Sequence, residues 1–301
     1  MQCQYTDPAL SLSDQLEFLR NQGLLISDES RVERYLTFVG LHRLMKYASP
    51  FMESGDGRFR SDTSFDEILE LYIFDRKLRL LVLDGIERVE VAFRSVISNE
   101  MSVAYGPHWY MDDRNFKNQD NSSILKEIAN ATNFFSRKNQ DGACKKYYST
   151  YHSPPLPTSW IATETLTFGK WSRVYESIVH REIKDSIARK FSLTQNLFTS
   201  WMKSLAVTRN YCAHHRRYWN RNHIVCMPKI PKQFESEIPE HTLNKTYSRL
   251  AILRQILRQI VFSDSFTQNL SLLIKTCPIS SAAPIMGFPD GWELFSLWTD
   301  D

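Results

Sequence analysis

A proline-free run from Ser64 to Tyr105 constrains the fold more than any other part of the sequence. Its apolar residues recur at helical spacing, Ser64 and Glu67 match a capping box at its start, and a Gly-Pro pair ends it. An ordinary globular helix has about 10–14 residues, whereas this run has about 40. We therefore predict either one unusually long helix or two helices that meet at Gly85, its weakest point.

Opposite charges recur three and four residues apart in the second half of this run, at Glu87, Arg88, Glu90 and Arg94. This spacing places carboxylates and guanidinium groups next to one another on a helix. Two interpretations are open: the charges form a solvated, salt-bridged face, or they line a functional cleft.

The remainder of the chain is also helical by its spacing, and no alternation of polar and apolar residues reaches the length of a strand. Proline-bearing breaks at 154–157 and 227–239 separate the helical segments. We therefore predict an all-α protein. Its other helices are expected at about residues 11–22, 29–45, 124–137, 141–150, 160–168, 171–181, 183–191, 194–219, 243–262 and 265–275.

The 37 Lys and Arg residues nearly balance the 34 Asp and Glu residues, so the net charge is only +3. This charge is too small to attract the whole molecule to a polyanion, and any nucleic-acid site must be a local patch. The cysteines, namely Cys3, Cys144, Cys212, Cys226 and Cys277, include no C-x-x-C pair, which argues against a disulfide framework and a zinc site. Because we find neither an export signal nor an apolar membrane span, we expect a cytoplasmic protein.

The densest group of reactive, cationic and aromatic side chains lies between residues 209 and 221. Arg209, Asn210 and His214 come first, at the end of a helix whose apolar stripe continues to Arg209. An imidazole exchanges protons near neutral pH, and a guanidinium group stays charged and suits a phosphate. Asn210 and His214 are i,i+4 neighbours, close enough for the amide to orient the imidazole.

Arg209 and His214 lie about 140° apart around an ideal helix, so one helix cannot aim both groups at one phosphate. A symmetric second copy of the chain would supply the missing group. We therefore expect a homodimer in which the helices that end near His214 approach each other across a two-fold axis.

A basic and aromatic segment adjoins these residues and is the predicted RNA-binding surface. Its members are His215, Arg216, Arg217, Tyr218, Trp219 and Arg221. The arginines would neutralise phosphates, and the two aromatic rings would stack on unpaired bases. Alternatives remain open here, since the arginines could form a solvated basic turn and Trp219 could belong to the core. Cys212 is interpreted as inert packing on the inner face of the helix.

Several blocks of the sequence resemble one group of bacterial proteins, in the same order along the chain. They are LSLSDQLEFLRNQGLLI, FDEILELYIFDRKLRLLVLDGIERVEVAFRS, LPTSWIATETLTFGKWSRVY, RNYCAHHRRYWNR, YSRLAILRQIL and IMGFPDGWE. Together they are similar to the bacterial abortive-infection Abi family of the AbiD/AbiF-like kind, and the Arg209-Asn210-x-x-x-His214 pattern resembles that of HEPN ribonucleases. The resemblance implies a HEPN-like helical core at 61–225, with an N-terminal helical region at 1–60 and a C-terminal helical extension at 226–301.

The resemblance also implies an activity. In HEPN ribonucleases the His acts on the 2′-hydroxyl or the leaving oxygen, the Arg faces the phosphate, and the polar residue after the Arg positions the His. These roles fall to His214, Arg209 and Asn210. The implied function is phage defence by a metal-independent endoribonuclease with no other cofactor, and the sequence contains no H-E-x-x-H motif and no Cys/His cluster. RNA is the expected partner; DNA and membranes are not.

Two other functions remain open. One is a non-catalytic or regulated RNA-binding protein of the same fold, which would form a ribonucleoprotein with a structured small non-coding RNA, as AbiF-like members suggest. The other is a purely structural interaction protein, which would not need the set Arg209, Asn210 and His214. Loss of toxicity in His214→Ala would favour the nuclease, whereas co-purification of one RNA of defined size would favour the ribonucleoprotein.

Overall fold

The computed structural model describes residues 8–55, 57–261 and 265–299. Within these ranges the regular structure consists of α-helices and short 3-10 helices, and β-pairing is limited to isolated bridges. The all-α prediction is confirmed. Cys3 and the last position of the expected helix at 243–262 lie outside the described residues.

Thirteen α-helices are present in the described part of the chain. They are α1 (Leu12–Asn21), α2 (Glu29–Phe38), α3 (Leu41–Met45), α4 (Phe65–Tyr105), α5 (Ser122–Ala131), α6 (Gly142–Thr150), α7 (Ser159–Ala162), α8 (Phe168–Ser177), α9 (Arg181–Arg189), α10 (Gln195–Ala213), α11 (Thr246–Ile260), α12 (Phe266–Lys275) and α13 (Ala282–Ile285). Short 3-10 helices lie at Ser49–Phe51, Trp109–Met111, Asp113–Asn115, Lys117–Gln119, Lys232–Phe234, Glu240–Thr242 and Trp292–Leu294. No helix among the described residues has the length and apolar character needed to cross a bilayer.

The chain divides into two compact units. One consists of residues 1–78 and 272–283, and the other of residues 79–271 and 284–301. Helix α4 runs through the division between residues 78 and 79. The three regions at 1–60, 61–225 and 226–301 remain a prediction. All predicted site residues belong to the second unit.

Helix α4 is a single helix of 41 residues. The predicted capping box is present at its start: the Ser64 backbone N–H donates to Glu67 Oε2 at 2.8 Å, and the Glu67 N–H donates to Ser64 Oγ at 3.4 Å. Gly85 does not break the helix. A Cβ atom placed there would lie only 3.2 Å from Leu253 Cδ2 and 3.3 Å from Leu257 Cδ1 on α11. The glycine therefore allows α11 to approach α4 closely.

Several helices end earlier than their apolar spacing predicts. The expected helix at 29–45 is two helices, because Gly40 adopts a φ of +89° between α2 and α3. The expected helix at 160–168 is only the four-residue α7, and the one at 194–219 ends at Ala213. In each case the helical spacing of apolar residues in the sequence continues beyond the residue at which the helix ends.

An aromatic cluster fixes α10 in the second unit. The Phe93 ring of α4 lies 5.9 Å from Phe168 and 6.0 Å from Tyr175 on α8, and 5.6 Å from Phe198 on α10, in edge-to-face arrangements. Trp201, one turn further along α10, is fully buried. These contacts anchor the first half of α10 in the core of the second unit, and the predicted site lies at the C-terminal end of the same helix.

Candidate functional site

Helix α10 ends inside the predicted motif. His214 is its C-cap residue and donates its backbone N–H to Asn210 O at 3.1 Å. His215 has a φ of +56° and donates to Cys212 O at 3.1 Å, while the Arg216 N–H donates to Tyr211 O at 3.0 Å. This pair of bonds is a Schellman motif, with His215 in the left-handed position that glycine usually occupies. Asn210 therefore lies in the last turn, and the basic segment leaves the helix axis.

We expect His215→Gly to be more stable than His215→Ala by about 1 kcal/mol, because only glycine adopts the left-handed conformation without a Cβ penalty. Both variants lose the contacts of the imidazole ring. The difference between their free energies of unfolding therefore measures the cost of the left-handed backbone conformation. Urea unfolding of the two proteins at one pH measures it. Equal stabilities would mean that His215 does not hold a left-handed conformation in solution.

A buried carboxylate on α4 holds Arg209. Glu90 is only 8% exposed, and its Oε2 lies 3.7 Å from Arg209 Nε. Its other oxygen accepts a hydrogen bond from Arg94, which also donates to Leu166 O at 2.8 Å. The guanidinium of Arg209 is therefore oriented by a fixed anion, while its side chain remains one-third exposed. Sequence reasoning missed this contact, because nothing in the spacing of Glu90 pairs it with Arg209.

The two interpretations of the charged face on α4 each apply to part of it. Glu90 and Arg94 are withdrawn from solvent and belong to the site. Arg88 pairs with Asp84, whose side chain is mostly exposed, and Glu87 is exposed. The solvated, salt-bridged face is thus limited to Asp84, Glu87 and Arg88.

Asn210 and His214 are both exposed at the end of α10. In the described part of the chain, neither side chain takes part in a hydrogen bond. The expected bond from the Asn210 amide to the His214 imidazole is therefore missing from this arrangement. The structure brings Arg209 to Glu90, and it leaves the imidazole of His214 open to solvent.

Two arginines of the basic segment converge on one aromatic ring. The guanidinium carbon of Arg221 lies 4.1 Å from the Tyr211 ring centroid, and that of Arg216 lies 5.6 Å from it. Arg216 and His215 are exposed, and Arg217 is half-buried. Cation–π contacts of this kind hold the guanidinium groups on one side of the helix end. The surface next to His214 is consequently cationic.

The predicted stacking role of Tyr218 and Trp219 needs correction. Both residues are fully buried, and the Tyr218 ring lies 5.0 Å from the ring of His223. A ring inside the core presents no face to a base, so we remove these two residues from the RNA-binding set. For Trp219, the core alternative is the one that the structure supports. Cys212 is buried, as expected from its position on the inner face of α10.

A buried arginine anchors the chain that follows the basic segment. Arg249 on α11 is fully buried and donates to the carbonyl oxygens of His223 at 3.1 Å, Val225 at 2.9 Å and Leu243 at 3.4 Å. The cost of burying a charge is offset by these hydrogen bonds. The sequence held one signal of this role, because Arg249 stands among apolar residues in YSRLAILRQIL. We infer that Arg249 fixes the loop that returns from the motif.

His223 is buried beside this arginine. Loss of solvent, reinforced by the positive charges of Arg249 and Arg221, lowers the pKa of His223 from 6.5 to about 2. Its Nε2 lies 3.4 Å from Thr246 Oγ1. The imidazole is therefore neutral in the folded protein at physiological pH, and it cannot supply the proton exchange proposed for His214.

The buried His223 should make folding sensitive to acid. Because its folded pKa is below its unfolded pKa, the unfolded chain binds more protons between pH 6.5 and about 2, and stability falls as the pH drops through this window. We expect a loss of about 2 kcal/mol between pH 7 and pH 5 from this residue, a loss that His223→Gln should lack. Urea unfolding of both proteins at the two pH values measures it. An identical loss in both would assign the acid sensitivity to other groups.

Among the described residues, no three His, Cys, Asp or Glu side chains are grouped so that they could hold a metal ion. The chemistry available at the end of α10 comes from an exposed imidazole, a guanidinium group fixed by a buried carboxylate, and a neighbouring cationic surface. Such a set has the groups needed to bind a phosphodiester and to exchange protons with a neighbouring hydroxyl group.

Comparison with known proteins identifies the family. Residues 34–220 match the family model described as Abi-like protein. The matched region is more than half of the chain and contains Glu90, Arg209, Asn210 and His214. Searches of curated proteins and of solved structures gave no significant match. The chain belongs to the family of Abi-like proteins.

Proposed function

We propose that this protein acts in phage defence by abortive infection and that it cleaves RNA as a metal-independent endoribonuclease. Membership of the Abi-like family supports the first part. One observation carries the second part, the cleavage of RNA. Buried Glu90 holds the guanidinium group of Arg209, and the exposed imidazole of His214 follows five residues later in the chain. The AbiD/AbiF-like subtype and the HEPN assignment rest on the blocks of sequence similarity and are part of the same proposal.

The reaction needs one proton acceptor, one proton donor and a group that stabilises negative charge. The 2′-oxygen of the RNA forms a bond to the adjacent phosphorus, and the bond from phosphorus to the 5′-oxygen of the next nucleotide breaks. His214 accepts the 2′ proton, and a protonated imidazole gives a proton to the leaving oxygen. Arg209 faces the phosphate, whose negative charge increases in the transition state.

A homodimer completes this proposal, because Arg209 and His214 diverge around α10 and one chain cannot aim both groups at one phosphate. Two copies related by a two-fold axis would bring two imidazoles and two guanidinium groups to one phosphodiester. The direct test is incubation of the purified protein with a fluorescent single-stranded RNA. Cleavage that is absent with the DNA of the same sequence supports the proposal, and intact RNA at high protein concentration contradicts it.

A second candidate is an RNA-binding protein that holds a structured small non-coding RNA without cutting it. The observation in its favour is that Asn210 and His214 are unpaired with each other, so the assumed catalytic set is not assembled in the single chain. An RNA of one defined size that co-purifies with the protein and stays intact in its presence would favour this function.

In both functions the cationic surface beside Tyr211 binds phosphates. We expect Arg216→Ala to weaken RNA binding and to lower the salt dependence of log K by about one unit, because one phosphate contact is lost. The matched control is Arg181→Ala, which removes an exposed arginine at the start of α9, near the other end of α10. Binding is measured by fluorescence anisotropy at salt concentrations between about 50 and 200 mM, where the affinity of a phosphate-binding protein changes strongly with salt. Equal effects of the two substitutions would show that the charge acts non-specifically.

A further inference from the structure

A cavity of about 560 Å³ lies in the second unit, between α6 and the segment that leads into α7. One wall is the face of α6 that carries Lys146, Tyr147 and Thr150, and it continues to Tyr151. The opposite wall contains Thr158 and Trp160. The volume is in the range of small-molecule sites, which run from about 300 to 1,000 Å³.

The cavity presents aromatic surface to solvent. The Trp160 side chain is 54% exposed and Tyr151 is 56% exposed, although both rings border the same space. Large aromatic side chains are normally buried, and exposed ones that face a common cavity indicate a binding site. Their flat faces suit a planar ring.

The floor of the cavity is polar and fixed. The Tyr147 hydroxyl group lies 2.8 Å from Pro154 O, to which it can donate, and 3.0 Å from His108 Nε2. These two contacts hold the hydroxyl group of Tyr147 in place at the floor of the cavity.

The charge of the cavity favours an anionic ligand. Lys146 lines it, and none of the described residues that line it carries a carboxylate. From these observations we propose that the cavity binds a nucleotide, with the base against Trp160 and Tyr151 and the phosphate at Lys146. A base offers both a π-face and hydrogen-bonding edges, and stacking on aromatic side chains tolerates any base.

This site is distinct from the one at the end of α10. Glu90, which contacts Arg209, and Tyr105, which ends α4 just before His108, are separated by about 22 Å along the helix at 1.5 Å per residue. The nucleotide could be a free mononucleotide or one unit of an RNA strand. The cavity binds it in either case, and nuclease activity at His214 is not required.

Trp160 provides a specific signal for the test. The chain has seven tryptophans, and the other six are buried, so a quencher dissolved in water reports mainly on Trp160. We expect AMP and UMP to protect Trp160 from acrylamide in a saturable manner, and ribose 5-phosphate, which lacks a base, to give no protection. Failure of both nucleotides and of a pentaadenylate RNA to protect Trp160 would overturn the proposal.

Calorimetric titration of variants with AMP tests the individual contacts. Trp160→Leu and Tyr151→Leu should each weaken binding by about 5- to 150-fold, the range measured for the loss of one stacking partner. Lys146→Ala should weaken binding of AMP and leave binding of adenosine unchanged. Phe135→Leu is the matched control, because Phe135 is an exposed aromatic residue outside the cavity and should have no effect. Unchanged affinity in Trp160→Leu would contradict the proposed contact.

Two further comparisons separate this proposal from the nuclease. His214→Ala should bind AMP with wild-type affinity. A wild-type protein that binds AMP but cleaves no RNA would refute only the proposed function. If AMP and pentaadenylate compete for the cavity, the nucleotide of an RNA strand is a ligand. If AMP binds and pentaadenylate does not, the ligand is a free nucleotide.

Discussion

Replacing His214 with alanine is expected to lower the rate of RNA cleavage by about 10²–10⁴-fold, the usual effect of losing a group that exchanges protons in the transition state. The fold should be retained, because the side chain is exposed at the end of α10. Arg209→Ala should have an effect of similar size, because the charge of the transition state would lose its guanidinium partner. Asn210→Ala should cost less, since it removes at most orientation.

The chemistry can be read from the ends of the fragments. Attack by the 2′-hydroxyl leaves a 2′,3′-cyclic phosphate on one fragment and a 5′-hydroxyl on the other, and mass spectrometry distinguishes these from 3′-hydroxyl and 5′-phosphate ends. Cleavage should continue in excess EDTA. Activity that EDTA abolishes and magnesium restores would refute the mechanism.

Mixing two inactive variants tests the homodimer. If the site uses groups from both copies, unfolding and refolding Arg209→Ala together with His214→Ala should restore part of the activity. Each mixed dimer keeps one Arg209 from one copy and one His214 from the other. Each variant refolded alone is the control. Activity of the wild-type protein as a strict monomer at about 10 µM, a concentration above micromolar dissociation constants, would contradict the two-fold site.

The features that could be predicted from the sequence are those set by local interactions. The capping box at Ser64 and the unbroken apolar period define α4, and both involve residues within a few positions of one another. Gly85 was harder to interpret, because its role depends on Leu253 and Leu257, which are far away in the sequence. The end of α10 was missed for a local reason: left-handed positions are recognised by glycine or asparagine, and here the residue is His215.

The site could be predicted in composition but not in arrangement. The residue types in the motif indicate phosphate chemistry, yet their partners come from distant parts of the chain. Glu90 reaches Arg209 from α4, and Arg249 reaches the backbone of His223 from α11. The burial of Tyr218 likewise depends on tertiary packing around His223. Spacing along one helix contains no information about these contacts.

Glu90 should be the residue whose loss most affects stability at the site. Glu90→Ala removes the acceptor between Arg94 and Arg209 and leaves two partly buried guanidinium groups without it. Breaking a buried ion pair by removing one partner costs about 3–5 kcal/mol, and the partial exposure of Arg209 places our expectation at about 3 kcal/mol. Guanidinium chloride unfolding measures the loss. The matched control is Glu87→Ala on the exposed side of the same helix, which should change stability by less than about 0.5 kcal/mol.

A double-mutant cycle then shows whether the contact with Arg209 is part of this stability. Arg209→Ala alone should cost less than Glu90→Ala, because Glu90 keeps its bond to Arg94. The double variant should lose less stability than the sum of the two single losses, by about 0.5–3 kcal/mol, which is the usual coupling energy of residues in one network. Strict additivity would mean that Glu90 does not hold Arg209, and the fixed guanidinium on which the proposed ribonuclease depends would be absent.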